Sequence, residues 1–289
     1  MHIPVLLKEA IENLNPQPNQ NFVDCTIGGG GHSTAILERI KPEGKVLGID
    51  LNKEAIEKLK DIKNLILVND NFVNLKSIAE KNNFHPINGI LLDLGFSSDL
   101  LEASGRGFSF LKDEPLDMRF DVRSDLTAEK VVNQYSEEDL IKIFKEYGEE
   151  KFSRRIARQI VNEKQPIKTT AQLVEIIKRA VPSFYQHLRI HFATRIFQAL
   201  RIEVNDELNN LREVLAQAEE ILEPEGRIAV ISFHSLEDRI VKRFFKGSET
   251  LKIITKKPII ADDYEIEENP RSRSAKLRIA EKINFILNN

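Results

Sequence analysis

Four consecutive glycines, Gly28 to Gly31, follow a short apolar run that ends in an acid, Phe22-Val23-Asp24. His32-Ser33-Thr34 then opens an amphipathic stretch, Ala35 to Ile40. This order predicts strand, glycine turn, helix. Without a Cβ, each glycine lets the backbone approach a ligand closely and accepts positive φ. The helix start beyond it offers N–H groups with no partner inside the helix. About twenty residues on, Val46 to Ile49 reads as a second buried strand, and Asp50 closes it. An acid at that place can take both hydroxyls of a ribose. Together these features predict a pocket for an adenosine-containing cofactor.

The glycines are contiguous, whereas a dinucleotide fingerprint spaces them as G-x-G-x-x-G with the pyrophosphate on the helix start. Asp24 stands immediately before the turn. A carboxylate there repels a pyrophosphate and attracts the cationic amino group of an amino-acid cofactor. The pattern therefore favours S-adenosylmethionine over NAD. The bland alternative is a glycine-rich turn in some other α/β protein, and the acid at each strand end argues against it.

The remaining first hundred residues alternate in the same way. Lys53 to Leu59 reads as helix, Leu65 to Val68 as strand, Leu75 to Glu80 as helix, and Ile90 to Leu94 as strand with Asp93 near its end. A βαβα order predicts a parallel sheet with helices on both faces, and such sheets bind ligands beyond the carboxyl ends of their strands. Asp24, Asp50, Asp70 and Asp93 all fall at or near such ends. From about Thr127 to Leu200 the signals are helical throughout: Glu137 to Tyr147, Phe152 to Asn162, Ala171 to Ala180 and Phe192 to Leu200. A long helix over about Asn205 to Leu222 and a strand over Arg227 to Phe233 resume the α/β pattern. The expected architecture is a doubly wound, Rossmann-like α/β sheet formed by 1–103 and 202–289, with an all-helical lobe inserted at 104–201. A chain of 289 residues can hold such a domain and lobe.

Cys25 is the one cysteine, so an internal disulfide and a cysteine zinc site are excluded. It falls in the first strand and reads as a small core residue. Met1-His2-Ile3-Pro4 has neither a charged nor a long apolar leader, and no apolar run approaches the roughly 18 residues of a membrane span. A cytoplasmic protein without a membrane partner is expected.

The net charge of −3 hides a strong asymmetry. Residues 151–201 hold eleven Lys/Arg against two Glu, a net of +9, whereas 202–225 hold one Arg against eight acids, a net of −7. The basic block is a candidate phosphate-binding face, with Arg154, Arg155 and Arg158 at its start. A solvated helical surface is the plainer reading. Asn269 to Arg278 carries four more basic residues, including Arg271 and Arg273, and reads either as an RNA contact or as an ordered loop before a last strand, Leu277 to Ala280.

Several motifs occur together and in order: His2-x-Pro4-Val5-Leu6-Leu7, Asp24-x-Thr26-x-Gly28 through Ser33, Leu92-Asp93-Leu94-Gly95-x-Ser97-Ser98, and Arg106-Gly107-Phe108-Ser109-Phe110. Leu116-Asp117-Met118-Arg119, Ala193-Thr194-Arg195-x-Phe197-Gln198-Ala199, Ser232-Phe233-His234-Ser235-Leu236-Glu237-Asp238-Arg239 and Asn269-Pro270-Arg271-Ser272-Arg273-Ser274 follow. The set resembles the bacterial 16S rRNA cytosine-N4 methyltransferase family, small-subunit methyltransferase H, essentially end to end. The resemblance implies transfer of a methyl group from S-adenosylmethionine to the exocyclic amine of a cytidine in the decoding region. It implies 16S rRNA or the small ribosomal subunit as partner, and a cofactor site of Gly30, Gly31, His32, Asp50, Phe72 and Asp93. A homodimer is neither required nor excluded. The chain departs from the family at Leu100, where a glutamine usually contacts the cofactor, at Asn52, which replaces a second acid, and at Phe192, which replaces a proline.

Methylation at C5 of a pyrimidine needs a cysteine nucleophile, and Cys25 lies on the wrong side of the glycine turn for that role. Amine methylation needs only an acceptor that orients the amine in line with the sulfonium methyl. Asp93 with Ser97 and Ser98 is the candidate catalytic surface, and Phe96 is placed to stack on the base. Ser232, His234 and Asp238 have the residue types of a hydrolase triad, but triad members normally come from separated segments, so a loop shaping the substrate pocket is the preferred reading. His187 and His191 are spaced to share a helix face, but they lack the other ligands of a zinc site, so no metal is expected. A non-catalytic RNA-binding assembly factor and a small-molecule methyltransferase are the alternatives. The glycine turn with Asp50 and Asp93 weighs against the first, and the basic block against the second.

Overall fold

The computed structural model describes residues 4–95 and 105–284 and divides into two compact units, 1–95 with 208–289 and 96–207. The first unit is built on a seven-stranded sheet with the order β3-β2-β1-β4-β5-β7-β6. Its strands are β1 (Phe22–Asp24), β2 (Val46–Ile49), β3 (Leu65–Val68), β4 (Gly89–Asp93), β5 (Arg227–Ser232), β6 (Leu251–Ile253) and β7 (Lys276–Lys282). β1 to β5 are parallel, while β7 runs antiparallel between β5 and β6. The chain winds outward from β1 to β3, returns, and lays β4 on the other side of β1. The crevice beyond the ends of β1 and β4 is therefore the topological switch point, where sheets of this type bind ligands.

The strands are continuous apolar runs because helices cover both faces of the sheet. Alternate residues serve opposite sides. Val23, Leu47, Ile90, Leu92, Ile228 and Val230 share a core with α4 (Leu75–Lys81), α10 (Glu207–Ile221) and α11 (Ser235–Gly247). Phe22, Val46, Leu91, Ala229 and Ile231 face the other side, where α1 (Leu7–Leu14) and α2 (Gly31–Ile40) pack. α3 (Lys53–Leu59) follows β2 and is capped by Asn52, whose side chain accepts the Glu54 and Ala55 N–H groups. Asn52 thus acts as a helix cap. A last short helix, α12 (Asp263–Glu268), precedes β7.

The second unit is helical. It comprises α5 (Ala128–Gln134), α6 (Glu137–Glu146), α7 (Ser153–Val161), α8 (Thr170–Ala180) and α9 (Thr194–Asn205), with its own core around Phe144, Ile156, Leu173, Ile177 and Leu200. Side-chain oxygens of Thr127, Ser136 and Thr169 cap α5, α6 and α8. Two sequence expectations need correction, and one helix is added. Residues 232–238 are the end of β5 and the start of α11, not a pocket loop, because His234 and Glu237 form a reciprocal N-terminal cap. His187 ends a 3₁₀ turn, Ser183–His187, and His191 lies beyond it, stacked on Phe110 at 4.6 Å, so the two histidines share no helix face. α1 was not anticipated in the sequence; its apolar face supplies Ala10, Ile11 and Leu14 to the core.

Gly89 opens β4 opposite Phe22, and a Cβ added there would stand 2.2 Å from the Phe22 ring. Gly247 ends α11 with nothing within 4 Å of an added Cβ. Gly89→Ala should lower unfolding free energy by about 1–3 kcal/mol through overpacking. Gly247→Ala should be neutral or stabilising by up to about 1 kcal/mol, since alanine favours helix. Urea unfolding of the two variants measures both signs.

Candidate active site

The glycine turn is held by carboxylates at the strand ends. Asp24 closes β1 and is buried. Its Oδ1 accepts the Thr26 N–H at 3.1 Å and its Oδ2 accepts the Ser33 hydroxyl at 2.7 Å, so it ties the start of the turn to the first turn of α2. Thr26 Oγ1 in turn accepts the Asp93 N–H at 2.7 Å, linking the turn to β4. From the other side, Asp50 Oδ2 accepts the Gly28 N–H and its Oδ1 the Asn52 N–H, both at 2.8 Å. Burial raises the Asp24 and Asp50 carboxyls above their ordinary range, and the hydrogen bonds they accept, from Ser33 and Thr26 and from Asn52 and Gly28, oppose that rise. Asp24 thus faces into the turn, where the sequence reading had it attracting a ligand directly.

The glycines differ in what they need to be glycine for. Gly28 and Gly30 have φ of 47° and 75°, the left-handed region. A Cβ on Gly30 would meet Leu59 at 2.9 Å, and one on Gly31 would meet Pro4 at 2.2 Å. The left-handed backbone at Gly30 and the Pro4 ring beside Gly31 therefore favour glycine at the two positions expected to approach a cofactor, whatever is bound. Gly29, which the sequence reading passed over, has nothing within 4 Å of the same point, so open space lies beside the turn there.

His32 is buried in the first turn of α2, with Nε2 donating to the Val5 carbonyl at 3.0 Å. A carbonyl only accepts, so Nε2 carries the proton. Nδ1 then faces Asp93 Oδ2 at 3.8 Å, an arrangement favourable when one proton lies on either group. Asp93 ends β4 with its side chain 17% exposed. Burial pushes its carboxyl up to about 6; His32 and the Gly95 N–H oppose that, and Asp24 and Glu237 add to it. Glu237, which has no role of its own in the sequence motif Ser232–Arg239, is buried in the first turn of α11, where its Oε2 accepts the Phe233 N–H at 2.8 Å and the His234 N–H at 3.2 Å. The signal available for it was its three-residue spacing from His234. Phe72 begins a 3₁₀ turn after β3 and is half-buried. The Asn69 side chain, donating to the Asp50 carbonyl at 2.8 Å, joins that strand end to β2.

The structure thus gathers Gly30, Gly31, His32, Asp50 and Asp93 around one strand-end crevice, with Phe72 beyond the neighbouring strand. Ser97 and Ser98, together with Phe96 and Leu100, lie outside the described residues. Cys25 is buried in this same region, and burial with Asp24 pushes its thiol well above the ordinary range, the wrong direction for a nucleophile. The hydrolase constellation is not assembled. Ser232 donates to the Lys276 carbonyl at 3.3 Å, and Asp238 accepts from Arg278 Nε at 2.6 Å.

The cationic candidates divide. Arg154, Arg155 and Arg158 are all exposed on α7, where Arg158 pairs with Glu137 at 3.4 Å. In the Asn-Pro-Arg segment Arg273 is exposed and Arg271 half-buried, whereas Arg278 is buried on Asp238, with Lys276 3.7 Å from the same carboxylate. Two of its four basic residues are therefore engaged with α11.

A carboxyl raised in the folded state stabilises below its ordinary range and loses that contribution as pH rises through its folded value. From the ordinary 3.8 to about 6, Asp93 should make unfolding free energy fall by up to about 3 kcal/mol between about pH 4 and 7. Asp93→Asn should flatten that decline and be more stable than wild type at pH 7.5. Urea midpoints across the pH series test this, and an unchanged slope would place the effect on another group.

Residues 1–283 match the family model described as the MraW methylase family. The chain is 49% identical to Ribosomal RNA small subunit methyltransferase H of Clostridium botulinum, covering 98% of this chain and 99% of that one. It is 51% identical to the protein of the same name from Thermosipho melanesiensis, covering 98% of each chain. The Fervidobacterium nodosum protein of that name is also 51% identical, with 98% of this chain and 97% of that one covered.

Proposed function

From the membership of this chain in the MraW methylase family, we propose that it methylates the N4 amine of a cytidine in the decoding region of 16S rRNA, using S-adenosylmethionine. The observation that carries this reading is Asp93, a partly open carboxylate at the β1/β4 switch point, tied through Thr26 to the glycine turn. An rRNA substrate makes the cytoplasm the place of action, and the described residues contain no helix long and apolar enough to cross a membrane.

The residues fit the cofactor. Each Asp50 oxygen accepts one backbone N–H and retains a lone pair for a ribose hydroxyl. In this reading Phe72, half-buried, covers the adenine, supported by its position just after β3, and the open space beside Gly29 leaves room for an approach to the turn. When bound, S-adenosylmethionine supplies an electrophilic methyl group. Asp93 supplies the acceptor: ionised, it takes a hydrogen bond from the cytosine amine and fixes the nitrogen for in-line attack. No covalent protein intermediate is needed, in keeping with the buried Cys25. A cytosine within a helix must first be extruded to reach the crevice.

The direct test is mass-spectrometric mapping of modified nucleosides in 16S rRNA from cells with and without the protein. Asp93→Ala should slow single-turnover methylation about 10²-fold at saturating S-adenosylmethionine, as a positioning contact is lost. Transfer at the wild-type rate would make Asp93 a cofactor ligand alone.

The basic block supports RNA as the substrate class. Replacing Arg154, Arg155 and Arg158 together with alanine should weaken rRNA binding and flatten its log–log salt dependence by about 2, because fewer counterions are released. Cofactor affinity should not change. An unaltered salt slope would remove α7 from the RNA-binding face.

A further inference from the structure

Residues 183–190 of the helical unit turn large apolar side chains to solvent. Phe184 is 65% exposed, Leu188 52% and Ile190 56%. This exposure is built. Tyr185, the next residue, is buried; its hydroxyl donates to Glu150 Oε2 at 2.8 Å, and its ring meets Phe152 edge-on at 4.9 Å. Glu150 is buried as well, and its other oxygen accepts the Phe152 N–H at 2.8 Å. The 3₁₀ turn is thus pinned through Tyr185, and the pin leaves Phe184 projecting.

Phe184 stands 6.5 Å from Phe152, ring to ring at 68°, and the Arg155 guanidinium lies 5.8 Å over the Phe152 ring. Lys151, Arg154, Arg155 and Arg189 are exposed in the same two segments. An exposed aromatic ring among cations suits an unpaired base: the ring stacks on the base and the cations neutralise the phosphates beside it. A second copy of the chain is a poor occupant. A two-fold interface would set this +9 block against its own copy.

We propose that Phe184 is a stacking platform for an unpaired nucleobase of the RNA substrate, with Arg154, Arg155 and Arg189 on the flanking phosphates. The inference rests on the RNA-substrate reading above and adds where, and in which strandedness, the RNA is held.

The chain has no tryptophan, so Phe184→Trp introduces a single fluorescent reporter. Its emission should be quenched by an unpaired oligoribonucleotide of the rRNA sequence and much less by the same sequence as a blunt duplex. Phe184→Ala should raise the KM for rRNA roughly tenfold, with the loss in KM rather than kcat, and Phe184→Tyr should recover most of it. Tyr264→Ala, at an aromatic 74% exposed in the other unit, serves as control and should leave KM unchanged. Unquenched Phe184→Trp in an enzyme that still methylates the RNA would overturn the proposal. So would a Phe184→Ala variant with wild-type KM, including one whose only change is in self-association. Wild-type protein that fails to methylate rRNA at all would instead overturn the RNA-substrate reading, and this inference with it.

Discussion

The site depends on one buried carboxylate. Asp24 holds the Thr26 N–H and the Ser33 hydroxyl, and Thr26 holds the Asp93 N–H. Through these three bonds the end of β1, the glycine turn, the start of α2 and the end of β4 are one assembly. Leaving a buried carboxylate without such donors costs several kcal/mol, so the turn is constrained to present N–H and O–H groups inward. Asp50 repeats the device from β2 by accepting the Gly28 N–H. The turn is shaped by acids at two strand ends, and ligand contact is left to the surfaces these bonds do not use.

The same construction sets the acidity of the site. Asp24, Asp93 and Glu237 gather near the ends of β1, β4 and β5, and their mutual repulsion adds to burial in holding Asp93 near 6. The arrangement works against stability at neutral pH, as clustered functional carboxyls generally do. It also keeps a partly open carboxylate at the end of β4. His32 opposes the rise of the Asp93 carboxyl, its ring held by the bond from Nε2 to the Val5 carbonyl and its Nδ1 3.8 Å from Asp93 Oδ2.

Two stretches show what residues read in a line leave out. Ser232 to Asp238 looks like loop chemistry because it is rich in Ser, His and acids. Those polar groups are spent on backbone N–H and C=O groups and on Arg278, so the stretch is a strand end and a capped helix. At Gly30 and Gly31 the need for glycine has a second cause beside ligand approach, because Leu59 and Pro4 occupy the space a Cβ would need. Arg278, Leu59 and Pro4 come from elsewhere in the chain and no local pattern announces them, whereas the His234–Glu237 cap is local.

The sequence by itself determined the alternation of strand and helix, the place of the glycine turn and the acids at the strand ends. Each of these is a local matter, settled by hydrophobic periodicity, by backbone freedom at glycine and by the order of elements. Only the tertiary structure decided which acids meet. Asp93 lies beside His32 and under the influence of Asp24 and Glu237 because the chain reverses its winding at β1 and lays β4 and β5 on the far side. It likewise decided that Arg278 is a buried strut and Phe184 a projecting ring, since Asp238 and Glu150, the groups that hold them so, are 40 residues away from Arg278 and 35 from Tyr185. Burial and charge proximity act through space, and they become legible only once the strands are in register.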